Sequence, residues 1–568
     1  MSRWFGRGGG RSGSVAQGMS GRRPVGPLTA LLLLAASQAA HAQPSPQSAQ
    51  PRSPFVEAVP ARSNDPAWFN LALPGPESDP SLGIVQIDGV DIPAQPAVFG
   101  PGPMDARLGG AAVKRDLRTI VGFSLESRAR GEYLWGRVTG RPAYDATTTW
   151  VLGELKSAGL RDARLETFIA PPINLPISGE VRLVGDNAFG QGSQDIVLQS
   201  AMVGGAGPVD GSVQAPLIYV GQATPADLAG RDVKGKIAVI NATPNPGLYS
   251  SNEYGRLQAM IKAGAVGAIE ILNQPGNVKS FDRDRHGCGT SLCFTLGGED
   301  GYFLQNMLGA AAQAGKTVTG QVSARSETIT SARLSNVVAT IPGRSDRTVI
   351  INAHADGWFT AADDNGGGLA TLLALARHFA RQPQPDRTLV FIASAGHHTP
   401  ANGLAAFRAI HDGDYVAKAD LILNLEHVAV SGMVRSMVES QDNNFGRKML
   451  ATTTEWPKQV GVSNRAPFLI DLWRQGAVCF GLNTQRVVDR RNPGELGRFA
   501  ELPVAQTQMI SVGPVYHTSG ETVDTIPEEG LERAARFHAY LVAEAAKAPA
   551  ALLNGGAWTP RKSCPPTP

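Results

Sequence analysis

The stretch TVIINAHADGWFTAADDNGGGLATLLALARHF, Thr348 to Phe379, decides the fold. Its opening residues, 348–351, form an apolar and β-branched run of the kind that makes a buried central strand. His354 and Asp356 follow two residues apart, on the same side of the extended chain. An acidic loop and an apolar pattern of helical period complete the stretch. A strand, an acidic loop and a helix in this order predict an α/β sheet with histidine and carboxylates at its carboxyl edge, where such folds bind ligands.

Histidine and carboxylate together suit zinc. For the HxD pattern by itself, a solvated acidic loop beside an ordinary histidine is the simpler interpretation. The longer pattern is more specific: HADG begins at His354, and AADDNGGG begins seven residues later, at Ala361. These motifs resemble the HxD and GADDNxSG signatures of the di-zinc exopeptidases, the twenty-eighth metallopeptidase family, which includes bacterial leucyl aminopeptidases and glutamate carboxypeptidase II. The resemblance implies a mostly parallel central sheet with helices on both faces.

The resemblance also implies a metal site. Relatives use three carboxylates and two histidines around two divalent ions, with a glutamate pair supplying the general base and one ligand. Here GHH stands at that pair, so His397 takes the position of the base and His398 that of the ligand. The implied zinc ligands are therefore His354, Asp364, His398, Glu426 and His517, the last of these in a segment similar to YHTxxDT. Asp356 would orient His354, as outer carboxylates commonly do.

The two histidines at 397 and 398 leave the chemistry open. One carboxylate fewer weakens the binding of a second ion, so we expect one or two zinc ions, although imidazole is itself a good ligand. An imidazole at 397 can accept a proton from water, yet neighbouring cations lower its pKa and weaken it as a base. His397 is thus either a working base or the mark of a descendant that has lost peptidase chemistry. We favour retained hydrolysis, because the remaining ligands are intact.

Three functions follow from this site. The first is an exported zinc-dependent exopeptidase, aminopeptidase-like, that cleaves terminal bonds of a peptide or amide substrate with metal-activated water. The second is a binding protein with a degenerate site. The third is a metal-dependent amide hydrolase or cyclase with a non-peptide substrate. The substrate pocket is predicted to include Tyr516 and the segment 468–497, with Trp473 and Arg474, whereas the oligomeric state is not written in the sequence.

Composition is that of a globular protein, with 568 residues, 42% hydrophobic, 18% charged and a net charge of +3. This balance gives no reason to expect a nucleic-acid partner. Residues 1–42 are predicted to be a signal peptide, because Arg22 and Arg23 precede a short apolar run and an AHA cleavage site. The run is too short for a transmembrane helix, and no cysteine follows it to carry a lipid. We therefore expect a periplasmic or secreted protein without a membrane anchor.

The mature chain divides into segments that differ in composition and in their patterns of apolar residues. Residues 43–105 are rich in proline and are predicted to form an extended arm with a short strand at 83–87. Residues 106–170 and 328–548 make the discontinuous catalytic domain, and 171–327 read as short strands that resemble an inserted protease-associated domain. We expect this insert to carry no ligand cluster, to present residues 282–286 as a charged surface turn, and to be dispensable for metal binding. The tail, 549–568, is predicted to be loose. Cys288 and Cys293 are close enough to pair in an exported protein, but two unpaired structural cysteines fit the sequence equally well.

Overall fold

A computed structural model gives the three-dimensional structure. It describes residues 85–87, 90–92, 105–186, 191–242, 255–272, 274, 276–282, 287–436, 448–488, 494–510 and 512–565. The predicted signal peptide and nearly all of the proline-rich arm lie outside these ranges. The short strand expected at 83–87 is present as Val85–Ile87, at one edge of the main sheet.

The strands are numbered in chain order. The first twelve are β1 (Val85–Ile87), β2 (Val90–Ile92), β3 (Gly136–Arg137), β4 (Arg164–Ile169), β5 (Ile173–Leu183), β6 (Ile196–Val197), β7 (Met202–Val203), β8 (Asp210–Tyr219), β9 (Ile237–Asn241), β10 (Gly267–Ile271), β11 (Cys293–Leu296) and β12 (Thr319–Ile329). The others are β13 (Arg333–Ile341), β14 (Ser345–His354), β15 (Gly357–Trp358), β16 (Arg387–Ser394), β17 (Ala419–Leu425), β18 (Ser431–Ser436), β19 (Lys448–Glu455), β20 (Lys458–Val462), β21 (Thr484–Val488) and β22 (Ala505–Ile510).

The α-helices of the described residues are α1 (Gly110–Ala129), α2 (Pro142–Ala158), α3 (Pro225–Leu228), α4 (Arg256–Lys262), α5 (Gly298–Gln313), α6 (Gly368–Phe379), α7 (Gly403–His411), α8 (Pro467–Phe480), α9 (Glu528–Lys547) and α10 (Ala550–Leu553). Short 3₁₀ turns span Ala106–Leu108, Gly494–Phe499 and Val523–Thr525, and a π-turn spans Ala362–Gly367.

The main sheet has ten strands in the order β2-β1-β21-β20-β22-β17-β14-β16-β13-β4. Its centre is parallel, as predicted, because β14 pairs in parallel with β16 and β17, and β17 with β22. The flanks are mixed, with β13 and β20 running antiparallel to their inner neighbours. Along β14, Val349 and Ile351 face the core under α1, α6 and α9, whereas Ile350 faces a second core under α7. Both faces of the sheet are therefore covered, and its strand ends are where polar side chains can gather.

A second sheet is built only from residues 173–329, in the order β6-β5-β12-β8-β9-β10-β11-β7. The strands expected around 215–221, 234–242 and 265–273 are present as β8, β9 and β10. Strands β5 and β12, the first and last of this sheet in chain order, pair with each other, with Ile173 opposite Ile329. The chain therefore enters and leaves the sheet at one place. Two hydrophobic cores lie within this part, as expected for a module with its own interior.

The prediction of a loose tail is wrong for residues 549–565. Leu553 is fully buried, the ring of Trp558 meets Phe468 edge-on, and a disulfide joins Cys564 to Cys479 on α8. Proline content suggested looseness, but it carries no information on a covalent link made 85 residues away in the chain. A second disulfide joins Cys288 and Cys293, a pairing that the sequence left open. In the described part of the chain, no helix combines the length and apolarity that crossing a bilayer requires.

Candidate metal centre

Four strands of the main sheet end beside one another and deliver the candidate residues. His354 is the last residue of β14, while His397 and His398 follow β16 by three and four residues. Glu426 comes directly after β17, and His517 lies in the turn beyond β22. Since the central strands are parallel, these residues meet at a single carboxyl edge.

The loop that carries the aspartates is clamped by a buried arginine. Arg137, fully buried in β3, donates to the carbonyl oxygens of three loop residues at 3.0, 3.0 and 3.1 Å: Ala355, Thr360 and Ala361. Its neighbour Gly136 lies against the same loop with φ of 137°, and a Cβ atom there would stand 2.6 Å from the carbonyl oxygen of Gly357. The WGRVTG segment thus needs glycine and arginine side by side to hold the loop in place.

Asp364 is the centre of the site. Its Oδ1 lies 2.9 Å from Nε2 of His354, and its Oδ2 lies 3.0 Å from Nε2 of His517 and 3.4 Å from Nε2 of His398. All four side chains are at least nine-tenths buried. Three of the imidazoles therefore turn a ring nitrogen toward one carboxylate, two on one oxygen and one on the other.

Glu426 and His397 complete the set on the same side. Nε2 of His397 lies 3.7 Å from Oε1 of Glu426, and the His397 ring stacks on His354 with centroids 4.3 Å apart. All five ligand positions named by the motifs, together with His397, are brought into one cluster. Groups of three donor atoms within 4.8 Å of each other can be drawn from it, for example His354, Asp364 and His398.

Unsatisfied atoms test whether these residues fit a metal. Nε2 of His354, Oδ1 of Asp364 and Nε2 of His398 are buried and have no hydrogen-bond partner among the described residues. His354 Nε2 and Asp364 Oδ1 approach each other to 2.9 Å as an ion pair. Leaving such atoms without a partner costs about 1–3 kcal/mol each. Buried lone pairs converging from imidazole and carboxylate are the donor set that zinc takes, so the residues fit the ion.

Asp356 lies behind the cluster rather than in it. Its carboxylate accepts the backbone N–H groups of His397 and His398 at 3.1 and 3.0 Å, and the hydroxyl of Thr139 at 3.1 Å. Its contact with His354 is made mainly through the main chain, with Nδ1 3.1 Å from the carbonyl oxygen of Asp356 and 3.6 Å from Oδ1. Burial opposes its ionisation, but the bond from His354 and the charges of the nearby histidines hold the pKa of Asp356 below its usual range. Asp356 thus orients three histidines at once.

Other carboxylates hold the remaining imidazoles in the same way. Nδ1 of His397 donates to Glu495 Oε1 at 2.9 Å, Nδ1 of His427 lies 3.0 Å from Asp363 Oδ2, and Nδ1 of His517 lies 3.1 Å from Asp282 Oδ2. In each pair the carboxylate takes the Nδ1 side of the ring and leaves Nε2 to face the cluster. This is the arrangement by which proteins fix the tautomer of metal-binding histidines.

Three of these residues were missed in the sequence. His427 follows Glu426 in NLEHV, and its position at a strand end is the signal that marks it. Glu495 has no local signal, since it arrives on the turn at Gly494–Phe499 from a distant segment. The prediction of a charged surface turn at 282–286 is wrong for Asp282, which lies in the insert and contacts His517. The rest of that turn, 283–286, lies outside the described residues. Close to Asp282 in the chain, Ser280 forms a β-bridge with Thr518.

The electrostatics separate the histidines. Burial lowers the pKa of His398 well below its ordinary value, so its ring is neutral and its lone pair is available. Burial also opposes the charge on His427, but Asp363 and Asp364 raise its pKa to about 10. Burial and the neighbouring His354 lower the pKa of His397, but Glu426 and Glu495 raise it by more. The pKa of His397 is therefore above its ordinary value. The cluster is thus negative enough to attract cations.

Glu521 braces the cluster from behind. Its carboxyl accepts the backbone N–H of Asp364 at 3.1 Å and that of His517 at 2.5 Å. Burial, together with Asp363 and Asp364, raises the pKa of Glu521 well above its usual value. One side chain therefore fixes the positions of two residues of the cluster.

The predicted pocket is only partly right. Tyr516 stacks on His517 with ring centroids 3.6 Å apart. Trp473, in contrast, is fully buried and donates to Thr507, and Arg474 is bound to Asp471 on its own helix, so neither faces the site. Helix α8 presents one side to the core and the other to the C-terminal tail, which composition did not reveal. The wall over His398 is instead Trp358, whose ring lies 4.5 Å away.

Known proteins share similarity with this chain in sequence and in fold. Residues 336–542 match "Peptidase family M28". A comparison with curated proteins finds no match. Among solved structures, the peptidase M28 precursor from Shewanella amazonensis SB2B is similar with 17% identity and a TM-score of 0.54, over 81% of this chain and 100% of that one. The zinc aminopeptidase BSAP from Bacillus subtilis is similar with 19% identity and a TM-score of 0.53, over 78% of this chain and 97% of its own.

At these sequence identities, the similarity to solved structures supports the fold alone. The similarity to a family rests on the matched segment. That segment begins in β13 and ends in α9, so it contains the central parallel strands and every candidate ligand from His354 to His517. Residues 336–542 of this chain therefore form the segment that matches peptidase family M28, and this segment carries every candidate ligand.

Proposed function

We propose that this protein is an exported zinc-dependent exopeptidase of the aminopeptidase type, which hydrolyses terminal peptide bonds. The observation that carries the proposal is the convergence of buried, unpartnered imidazole and carboxylate atoms on Asp364 within a peptidase-family domain. A site without a metal would gain nothing from leaving these atoms unpaired.

The residues that would hold zinc are His354, Asp364, His398, Glu426 and His517. When bound, zinc supplies Lewis acidity to the scissile carbonyl and lowers the pKa of water. Asp364 is placed to serve two ions, because its two oxygens face different histidines. The ring of Trp358 contacts His398 and His517 and forms an apolar wall that keeps bulk water from them.

His397 is the residue that we assign as the general base. Glu495, itself fully buried, holds its Nδ1–H, so Nε2 faces the cluster and is free to take a proton from the attacking water. The same nitrogen can then return the proton to the leaving amine. The Glu495 carboxylate stabilises the imidazolium that exists between the two transfers, as an aspartate does in other hydrolases.

Export is supported by the two disulfides, which form and persist in oxidising compartments. The N-terminal segment with its arginine pair, apolar run and small residues fits the same location. We propose that the mature protein works in the periplasm or outside the cell.

The test is a hydrolysis screen on dipeptides and aminoacyl anilides with the zinc-loaded protein, alongside elemental analysis. His397→Ala should lower kcat by about 10²- to 10⁴-fold while zinc content stays unchanged. His397→Glu restores a carboxylate base and should raise turnover on simple dipeptides. Glu495→Gln, which removes the charge behind the ring, should lower kcat more than it changes KM.

The outcomes separate the candidate functions. Zinc binding without cleavage of any peptide, in both the natural protein and His397→Glu, would refute the peptidase proposal and favour a non-peptide amide as substrate. Absence of zinc from a folded protein would favour a binding protein with a degenerate site.

A further inference from the structure

We propose that His427 is an additional metal ligand, which gives one of the two ion positions beside Asp364 four protein ligands and leaves the other with three. The inference rests on the proposed metal-dependent function, and it concerns how the two positions differ. It assigns to His427 a role that neither the motifs nor the family resemblance supplies.

The two oxygens of Asp364 define two positions. On the Oδ2 side lie the Nε2 atoms of His517 and His398, at 3.0 and 3.4 Å. On the Oδ1 side lie the Nε2 atoms of His354 at 2.9 Å and of His427 at 3.9 Å. Glu426 belongs to the second group, because its Oε1 lies 3.7 Å from Nε2 of His427.

Counting donors then separates the positions. The Oδ2 position has Asp364, His398 and His517. The Oδ1 position has Asp364, His354, Glu426 and His427. Of these, Asp364, Glu426 and His427 offer ligand atoms that all lie within 4.8 Å of each other. Four protein ligands close a tetrahedral zinc site, whereas three leave a place for water or substrate.

His427 is built as a ligand rather than as a packing residue. It is 1% exposed, and Asp363 takes its Nδ1 at 3.0 Å, so Nε2 is directed toward Asp364 and Glu426. Its backbone has φ of 53°, a conformation that costs a non-glycine residue about 1–2 kcal/mol. His517, another residue of the cluster, has φ of 59°. Such conformations persist where the surroundings enforce them, and they concentrate at functional sites.

The donor chemistry explains why an extra ligand would be useful. His398 stands where relatives supply a carboxylate, so the cluster offers less negative charge to two divalent ions. An additional imidazole on the neighbouring position does not restore the charge, but it adds a strong zinc–nitrogen bond. The four-ligand ion would then be the tightly held one, and the three-ligand position would be the one that meets the substrate.

The experiment measures zinc per chain by elemental analysis after equilibration with increasing concentrations of a chelator. His427→Asn is the informative variant. Its amide nitrogen still donates to Asp363, asparagine tolerates a positive φ, and no atom remains at the position of Nε2. We expect the natural protein to lose its two ions in separate steps, and His427→Asn to lose the tighter ion at least about 100-fold more readily. Outer-shell partners alone account for up to that factor, and a direct ligand should exceed it.

His411→Asn is the matched control. His411 is also buried and bound to carboxylates on both ring nitrogens, Asp414 and Glu166, but it lies outside the cluster. This variant should keep both ions with unchanged chelator resistance. Thermal melting of the metal-free forms establishes that each variant is folded. If His427→Asn does not fold, His427→Gly serves as the second variant, because it also leaves no atom at the position of Nε2 and tolerates the positive φ.

A second readout is independent of affinity. In the cobalt(II)-substituted protein, visible absorption distinguishes four-coordinate from higher-coordinate ions, and His427→Asn should alter the spectrum of the tighter ion only. If His427→Asn retains zinc as firmly as the natural protein at every chelator concentration, His427 is only the partner of Asp363 and the inference is overturned, although the proposed peptidase function would stand. If the natural protein binds no zinc, both fall together.

Discussion

Asp282 offers the sharpest test of how the inserted sheet relates to the metal centre. Its carboxylate lies 3.1 Å from Nδ1 of His517, and the two side chains are only 13% and 8% exposed. Replacing Asp282 by alanine removes this partner, so the His517 ring loses what fixes its tautomer and orientation. Asp282→Asn keeps an oxygen that accepts the Nδ1–H but removes the charge.

The magnitude follows from the kind of bond. A largely buried hydrogen bond to a charged group contributes about 1.5–3 kcal/mol. At 1.4 kcal/mol for each factor of ten, Asp282→Ala should weaken the ion on the Oδ2 side of Asp364 by about 10- to 150-fold. Charge-assisted bonds are roughly twice as strong as neutral ones, so Asp282→Asn should weaken it by about 3- to 12-fold.

The assay is a competition titration of zinc against a chromophoric chelator, with Asp195→Ala as the control. Asp195 directly precedes β6, the strand at the edge of the inserted sheet opposite β7, and is bound to Arg182. Its variant should bind zinc like the natural protein. Equal affinities for Asp282→Ala and the natural protein would refute the reasoning and restore the expectation that the insert is dispensable for metal binding.

Three further predictions follow from other parts of the structure. Asp364→Ala should remove zinc more completely than alanine at any single histidine, because Asp364 faces both ion positions; full zinc occupancy measured by elemental analysis would contradict its central role. Replacing both Cys479 and Cys564 by alanine should lower the free energy of unfolding by up to about 4.6 kcal/mol, the chain-entropy value for an 85-residue loop, and the urea midpoint measures it. Burial lowers the pKa of His538 to about 4. Between pH 6.5 and 4 the unfolded chain therefore binds one more proton than the folded chain, and the free energy of unfolding decreases by about 3.4 kcal/mol in total as the pH is lowered through this range. His538→Asn should remove this dependence of the unfolding free energy on pH. Urea titrations at pH 4 and pH 7 measure it, and the same difference between the two pH values in the variant would refute the role of His538.

The fold was largely predictable because its centre is coded locally. The β-branched run before His354 and the helical pattern after Gly368 each specify an element without help from distant residues. Parallel pairing of β14 with its neighbours follows from the alternation of strands and helices along the chain. The flanking antiparallel strands were not predicted, because edge pairings depend on partners far away in sequence.

The site was predictable to the extent that its residues lie at strand ends. His354 ends β14, Glu426 directly follows β17, and His398 comes four residues after β16, so motif order at strand ends predicted all three. Glu495 reaches the site from a 3₁₀ turn and Asp282 from the segment between β10 and β11 of the insert, and no local pattern marks such an arrival. The long range of these contacts, 98 residues for Glu495 and 235 for Asp282, is the physical reason that the sequence did not disclose them.

The inserted sheet contacts the rest of the protein at several points beyond its stem, where β5 and β12 run side by side. Ser280 forms a bridge with Thr518, and the backbone N–H of Val203 in β7 donates to the Tyr133 hydroxyl at 3.0 Å. A module on a stem alone is free to swing, whereas these contacts tie the inserted sheet to the catalytic segment, and one of them ends on the neighbour of His517. A molecule that displaced the inserted sheet would therefore have to break that bridge as well, and it would disturb the turn that carries His517, a candidate metal ligand.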